Sequence, residues 1–311
     1  MQVQQMDLRQ VRYFVAACEE GSITAAAKRM NCTPPGISQQ MSALELRHDI
    51  SLLERSSRGV TPTAAGERLY KKCLGILRAV SEAEGEIASL RHEVTGKVAV
   101  GLIPALSKAI LPKLLADYTH KYPAVDIHVV EAYAGTLTQS LLKGDLDFAV
   151  GPLPPDETGL SFEKIAEQPM GLLSGKILGL EQMKPIRLDA IHPLRLVMPS
   201  PQHSLRPTLE NLIRLGDIKV EKSMSIDGLT GTLEFISQTE WVSIIPSALC
   251  LNQLNDSRMT VNPIVFPDLK FEIALIQLAR QSLSRPAQLL VDILKSELEG
   301  ADANWQTQLD A

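Results

Sequence analysis

The residues best suited to recognition chemistry lie in one short run, Thr33-Pro34-Pro35-Gly36-Ile37-Ser38-Gln39-Gln40-Met41-Ser42-Ala43-Leu44. Ile37, Met41 and Leu44 recur at i, i+4 and i+7, one apolar stripe of a helix. The opposite face carries Ser38, Gln39 and Ser42, all uncharged hydrogen-bonding groups. Glutamine can pair bidentately with adenine in the DNA major groove, and serine with a base edge or a phosphate. Thr33 has a hydroxyl of the kind that caps a helix, and Pro34 suits the first helical position, where a missing N–H costs nothing. An ordinary amphipathic helix would account for the stripe alone, so the flanking segments decide between the two readings.

Those segments are what a reader helix needs for support. Leu8, Val11, Phe14, Val15 and Cys18 keep helical spacing and stop at Gly21, a common helix end. Ser22 then caps a second helix, Ile23 to Met30, whose Ala25, Ala26 and Ala27 allow close packing of the helix that follows. After Leu44 the stretch Leu52 to Gly66 reads as a short loop-and-strand wing, with Arg55 and Arg58 placed to grip phosphates. A helix, a tight turn and a polar second helix are the parts of a helix-turn-helix reader.

Here the motifs become specific. Gly21-Ser22-Ile23-Thr24-Ala25-Ala26-Ala27, Leu52-Leu53-Glu54-Arg55-Ser56-Ser57-Arg58 and Pro62-Thr63-Ala64-Ala65-Gly66 follow one another as in the LysR-type transcriptional regulators, and residues 8–66 resemble the winged helix-turn-helix of that family. Leu53 replaces the usual Phe, Asp49 the usual Gly before the wing, and Pro34 stands where Gln is often found. Asp tolerates a left-handed turn better than most residues. Pro34 removes one base reader, so the operator cannot be copied from relatives. The resemblance implies DNA contacts at Thr24, Thr33, Pro34, Pro35, Ser38, Gln39, Ser42, Arg55 and Arg58.

From Thr63 a long helix is expected to run to about Leu90. Leu69, Cys73, Ile76, Val80, Ala83, Ile87 and Leu90 alternate in steps of 4 and 3, a heptad seam that suits two helices packed along each other. A single helix lying on its own domain is the alternative. The resembled family uses this helix to pair subunits, which implies a homodimer or homotetramer and paired half-sites.

Past Val94-Thr95-Gly96-Lys97, read as a hinge, strands and helices alternate. Val98–Ile103, Val125–Val130 and Leu146–Val150 read as strands, Leu111–Tyr122 and Thr136–Lys143 as helices. That order suggests a parallel sheet covered by helices. Further strands are expected at 195–198, 219–220, 242–246 and 271–275, and a last helix from Pro286 to Leu298. Leu111-Pro112, Tyr122-Pro123 and Gly144–Val150 are similar to motifs of the family's effector domain. The resemblance implies two Rossmann-like lobes like those of periplasmic solute-binding proteins, with a small molecule between them. Ligands of open α/β sheets sit beyond the carboxyl ends of strands, where helix N-termini offer N–H groups. On that rule the effector-binding candidates are Ile103, Pro104, Ala105, Thr136 and Pro152, joined from the second lobe by Ser225, Ile226 and Trp241. Ala105 stands where many relatives carry Ser or Thr for a carboxylate. Trp241 offers a flat apolar wall, which favours an aromatic or otherwise bulky organic acid.

Enzymatic chemistry finds no support. The six histidines show no H-x-x-x-H spacing, Gly171-Leu172-Leu173-Ser174-Gly175-Lys176-Ile177 is one residue short of a P-loop and ends in Ile, and no G-x-S-x-G elbow occurs. Neither a catalytic residue, a metal ligand set nor a cofactor is therefore assigned. The net charge of −5 is uneven: Gly21 to Lys72 holds eight cations against four anions, a basic reader on an acidic body. Four scattered cysteines without a C-x-x-C pair fit a reducing cytoplasm, and no leader or membrane span is expected.

The expected fold class is α/β. It comprises an N-terminal winged helix-turn-helix (residues 1–63), a linker helix (64–92) and a two-lobed effector domain (93–300), followed by a flexible tail (301–311). Lobe I takes about 93–165 and 268–300, lobe II about 166–267. The expected partners are double-stranded DNA, a small organic acid, further copies of the chain and RNA polymerase. The competing reading is a small-molecule-binding α/β protein or enzyme in which the helix-turn-helix is not the main site.

Overall fold

The computed structural model describes residues 6–56, 59–89, 94–153, 159–201, 203–279 and 282–310, and the chain divides into two compact units, Met1–Glu93 and Val94–Ala311. In the first unit α1 (Leu8–Glu20) begins with a reciprocal cap. The Asp7 carboxylate accepts the Gln10 N–H at 2.7 Å and the Gln10 side chain accepts the Asp7 N–H, satisfying two donors that a helix start leaves open. Gly21, at φ 60°, ends it. Ser22 caps α2 (Ile23–Arg29) by accepting the Ala25 N–H. α3 (Pro34–His48) buries Ile37, Met41 and Leu44 and ends at Asp49 with φ 51°, the left-handed turn its side chain tolerates. Thr33 occupies the cap position but its hydroxyl makes no cap bond. Pro34 and Pro35 remove the first two N–H groups, and the Gly36 N–H is taken by the Thr33 carbonyl, so the hydroxyl has nothing to cap.

β1 (Leu53–Ser56) and β2 (Gly59–Pro62) pair antiparallel as the wing. Glu45 of α3 secures the first of these strands by accepting the N–H groups of Leu52 and Leu53 at 2.8 and 2.9 Å. Thr63 caps α4 (Ala64–Ser89) by accepting the Gly66 N–H at 3.0 Å. Phe14, Ala26, Ala27, Ile37, Met41, Leu44 and Cys73 form the core of this unit. The heptad seam therefore splits within one chain. Cys73 is buried and Leu69 packs beside it, whereas Ile76 is 41% exposed. The Ile87 and Leu90 side chains lie outside the described residues.

The second unit runs β3 (Gly96–Leu102), α5 (Pro104–Lys121), β4 (Val125–Glu131), α6 (Ala134–Lys143), β5 (Phe148–Gly151), β6 (Leu160–Gly175), β7 (Ile186–Arg187) and β8 (Leu194–Met198). It continues with α7 (Leu205–Leu215), β9 (Val220–Ser225), α8 (Leu229–Ser237), β10 (Trp241–Pro246), α9 (Ser247–Leu251), β11 (Met259–Phe266), β12 (Lys270–Leu278) and α10 (Arg285–Asp310). In lobe I, β4, β3 and β5 are parallel and β12 and β6 close the sheet antiparallel. In lobe II, β9, β8 and β10 are parallel, with β6 and β11 antiparallel beside them. β6 belongs to both lobes: its residues 160–169 pair with β12 and 170–175 with β10 and β11.

Two expectations need correction. α5 starts at Pro104, seven residues before the expected Leu111, and carries Pro112 inside. An interior proline leaves the carbonyl four residues earlier unbonded, and here the Asn252 side-chain amide donates to that Lys108 carbonyl at 2.9 Å. Residues 301–310 are not a flexible tail, because α10 continues to Asp310 and buries Trp305, 1% exposed, among Leu173, Leu249 and Cys250 of lobe II. Its first half, with Leu290, Val291, Leu294 and Leu298, lies in the larger core that includes β3 and β5.

Candidate nucleic-acid interface and effector cleft

The stripe that buries Ile37, Met41 and Leu44 turns the rest of α3 outward. Thr33, Pro34, Pro35, Gln39 and Ser42 are exposed, Ser38 is half-buried, and Thr24 is exposed on α2. Packing leaves these residues facing out with uncharged hydrogen-bonding groups, of which Gln suits adenine and Ser or Thr any base edge. Arg55 on β1 donates through Nη2 to the Ser42 Oγ at 3.3 Å, which places a wing cation beside the reader helix. Arg58 lies outside the described residues. The Gln10 amide donates to the Gln40 side chain at 3.0 Å and ties α1 to α3; no local pattern marks this positioning pair. Gly66 is required here because a Cβ would collide with the Leu52 carbonyl oxygen, the same oxygen that accepts the Thr63 N–H.

The second site is built where the strands of both lobes end. β3 runs into Ile103, Pro104 and Ala105, β8 into Met198 and Pro199, and β10 into Ile245 and Pro246. Together with Ile226 and Leu229 they enclose an apolar chamber of about 100 Å³. Outside it lies a wider cleft of about 550 Å³, bounded by Lys108, Glu131, Thr136 and the N-terminal residues of α8. Pro104, Tyr133, Asp227 and Leu229 border both spaces. The Tyr133 hydroxyl, at the start of α6 in lobe I, donates to the Asp227 carbonyl oxygen, which precedes α8 in lobe II. Burial, followed by the Asp227 and Glu131 charges, pushes the Tyr133 pKa up, so it acts as a donor. The Asp227 carboxylate accepts the Ser200 N–H at 2.8 Å. His203 stands edge-on to Tyr133 with ring centres 6.1 Å apart, and its Nδ1 accepts the Leu205 N–H at 3.2 Å. Burial holds the His203 pKa below its ordinary value, partly opposed by Asp227. Thr232, 7% exposed, lines the chamber.

Ile103, Pro104, Ala105 and Ile226 thus line the chamber and Thr136 the outer cleft, while Pro152, Ser225 and Trp241 line neither. Pro152 is buried. The Ser225 hydroxyl accepts from Arg206 at 2.9 Å. Trp241 opens β10 at its amino end, paired with Arg195, and packs on Phe235. A ligand beyond the carboxyl ends of the strands cannot meet it, so the aromatic preference that rested on Trp241 loses its support. Tyr133, Asp227, His203, Lys108 and Glu131 were missed. The strand-end rule, applied to β8 and β10, would have found Met198, Pro199, Ile245 and Pro246; no residue pattern pointed to His203.

Three of the thiols are not poised for chemistry. Burial, then Glu67 and Cys73, lifts Cys18 to about 12, burial lifts Cys73 to about 11, and burial raises Cys250 as well, so these sulfurs stay protonated and weakly nucleophilic. Among the described residues no group of three His, Cys, Asp or Glu side chains could hold a metal ion, and no helix is long and apolar enough to cross a membrane.

Comparison with known families decides what the two units are together. Residues 8–67 match the bacterial regulatory helix-turn-helix protein family, lysR type, and residues 91–299 match the LysR substrate binding domain. The chain belongs to the LysR family. The nitrogen assimilation regulatory protein nac of Klebsiella aerogenes is 27% identical over 94% of this chain and 95% of its own length. The transcriptional regulator CfxR of Cupriavidus necator is 30% identical over 67% and 66%. A mutant OxyR of Corynebacterium glutamicum has the same fold, with a TM-score of 0.67 at 24% identity over 97% of this chain and 96% of that one. As a LysR-type protein the chain is a DNA-binding transcriptional regulator with an effector-binding domain, not an enzyme.

Proposed function

We propose that this LysR-type regulator reads an operator through Gln39, Ser38, Ser42, Thr33 and Thr24, with Pro34 and Pro35 shaping the entry of α3 and Arg55 and Arg58 on the phosphates. It answers to a small organic acid held between the lobes. The observation that carries the reading is Arg55 fixed beside Ser42, which sets a phosphate-binding cation at the edge of an exposed, uncharged helix face. Two copies pair along the exposed half of α4, where Ile76 is uncovered, and pairs of dimers present the readers to two half-sites. The effector prefers one arrangement of the lobes and so shifts how the dimers sit on DNA, by no more than its differential affinity for the two arrangements. RNA polymerase is the partner that would receive the change.

Fluorescence anisotropy on DNA from upstream of its own gene, with a salt titration, tests this. Arg55→Ala should weaken binding to all sequences alike and flatten the log–log salt slope by about 0.9 for the lost phosphate contact. Gln39→Ala should relax base preference at one position by ~1–3 kcal/mol and leave the salt slope alone. Identical behaviour of the two variants would refute the division of roles.

A further inference from the structure

The two spaces of the cleft differ in chemistry, and both differ from what a simple carboxylate calls for. The chamber is walled by Ile103, Ala105, Ile226, Leu229 and their neighbours and contains no lysine or arginine. At about 100 Å³ it falls short of the ~150 Å³ apolar cavity that holds a benzene ring. It suits an aliphatic group of about three or four carbons. The outer cleft carries charges of both signs, Lys108 and Glu131 from lobe I and Asp227 from lobe II, and neither Lys108 nor Glu131 has an ion-pair partner among the described residues. The first N–H groups of α8, at Leu229, Thr230 and Gly231, also border this cleft and have no carbonyl within their own helix. Thr232, one turn further along α8, lines the chamber. A bare carboxylate would satisfy Lys108 and the α8 N–H groups but would face two acidic side chains. A bare amine would do the reverse.

We infer that the ligand is a zwitterion, an aliphatic α-amino acid of valine or leucine size. Its side chain enters the apolar chamber, its carboxylate meets the α8 N-terminus and Lys108, and its ammonium group meets Glu131 and the Asp227 carbonyl. That ammonium competes with the Tyr133 hydroxyl for the Asp227 oxygen, so binding releases one of the hydrogen bonds between the two lobes. The inference rests on the cleft being the effector site and deepens it by naming the ligand class.

Isothermal titration calorimetry on the full chain tests it with L-leucine, L-valine, 4-methylpentanoate, 3-methylbutylamine and benzoate. L-leucine or L-valine should bind, and loss of either head group should weaken binding at least tenfold. Glu131→Gln, an exposed substitution that leaves the core untouched, should weaken the amino acid tenfold or more and leave 4-methylpentanoate unchanged or tighter. Equal binding of 4-methylpentanoate and L-leucine, an undiminished Glu131→Gln, or no heat from either amino acid would overturn the inference. Ala105→Phe, which fills the chamber, separates the two levels. If an acid without an ammonium group binds and is lost in this variant, the amino-acid class is wrong and the cleft stands. If a probe binds equally well in Ala105→Phe, the cleft itself is the wrong site.

Discussion

Trp305→Ala is the sharpest test of how the second unit is held together. The residue sits five positions from the end of α10, beyond the limit of the matched LysR domain at residue 299, yet it is 1% exposed within the lobe II cluster of Leu173, Leu249 and Cys250. A Cβ on Gly171 would come 3.5 Å from its ring, an ordinary van der Waals distance, so the indole lies directly against this strand. Truncating a fully buried Trp to Ala costs about 3–5 kcal/mol, a large share of the ~5–15 kcal/mol that holds a native domain. For a unit of this size 1 kcal/mol moves Tm by about 2–4 °C, so a fall of roughly 6–20 °C is expected. Calorimetry of the full chain should show it in one transition and leave a separate melting of the N-terminal unit in place. Leu309→Ala, at a residue 38% exposed, should change Tm by less than about 2 °C, as surface substitutions generally do. Amides from 300 to 310 should exchange more slowly in the parent than in the variant. A Trp305→Ala protein that melts within about 1 °C of the parent, with unprotected amides from 300 onward in both, would show that α10 does not seat on lobe II.

Two further outcomes follow from the geometry. Gly66→Ala drives a Cβ into the Leu52 carbonyl oxygen, and such overpacking costs about 1–3 kcal/mol; calorimetry should show the N-terminal unit melting earlier with the second unit unmoved, and DNA affinity falling with it. His203 has a pKa lowered by burial, so the folded state takes up its proton less readily than the unfolded chain. Its contribution is therefore complete above the unfolded value of about 6.5 and declines as pH falls below it. A proton on Nδ1 also removes the acceptor for the Leu205 N–H, worth ~1 kcal/mol at a helix start. The Tm of the second unit should drop between pH 7.5 and 5.5 more steeply in the parent than in His203→Gln, and equal slopes would sink the assignment.

How much of this was legible in the sequence depends on how local each cause is. Every decision about α3 is made within a few residues: Pro34 starts it, Ile37, Met41 and Leu44 orient it, and Asp49 turns the chain at its end. Its exposed face could therefore be read from the residue pattern alone. β6 was not readable, because its sequence is shaped by partners far along the chain. Gly171 and Gly175 interrupt the strand pattern, and both are explained only by what lies opposite: the Cys250 sulfur against the first, the carbonyls of Ile236 and Thr239 against the second. Isolated glycines read locally as turns or as a phosphate loop, yet here they mark close approach in a strand shared by two lobes. Pro112 misplaced the start of α5 for a similar reason, since the Asn252 amide that replaces the lost hydrogen bond lies 144 residues beyond the Lys108 carbonyl it serves. The end of α10 lacks the apolar stripe that marks its first half and is secured by a single indole.

The site divides along the same line. A rule about strand ends found Ile103, Pro104 and Ala105 because a strand and the helix after it are neighbours in sequence. The same logic misled at Trp241, where the residue type suggested a ligand wall and the direction of β10 puts the ring at the other end of the sheet. Tyr133 and Asp227 are 94 residues apart and meet only when the two lobes face each other. That meeting is what the proposed effector would act on. On the proposed reading a regulator holds two lobe arrangements close in free energy, and one hydrogen bond between Tyr133 and Asp227, worth about 0.5–1.5 kcal/mol, is a contact a small ligand can displace. The extensive apolar packing behind it, from β6 to Trp305, keeps the lobes joined whichever arrangement the ligand selects.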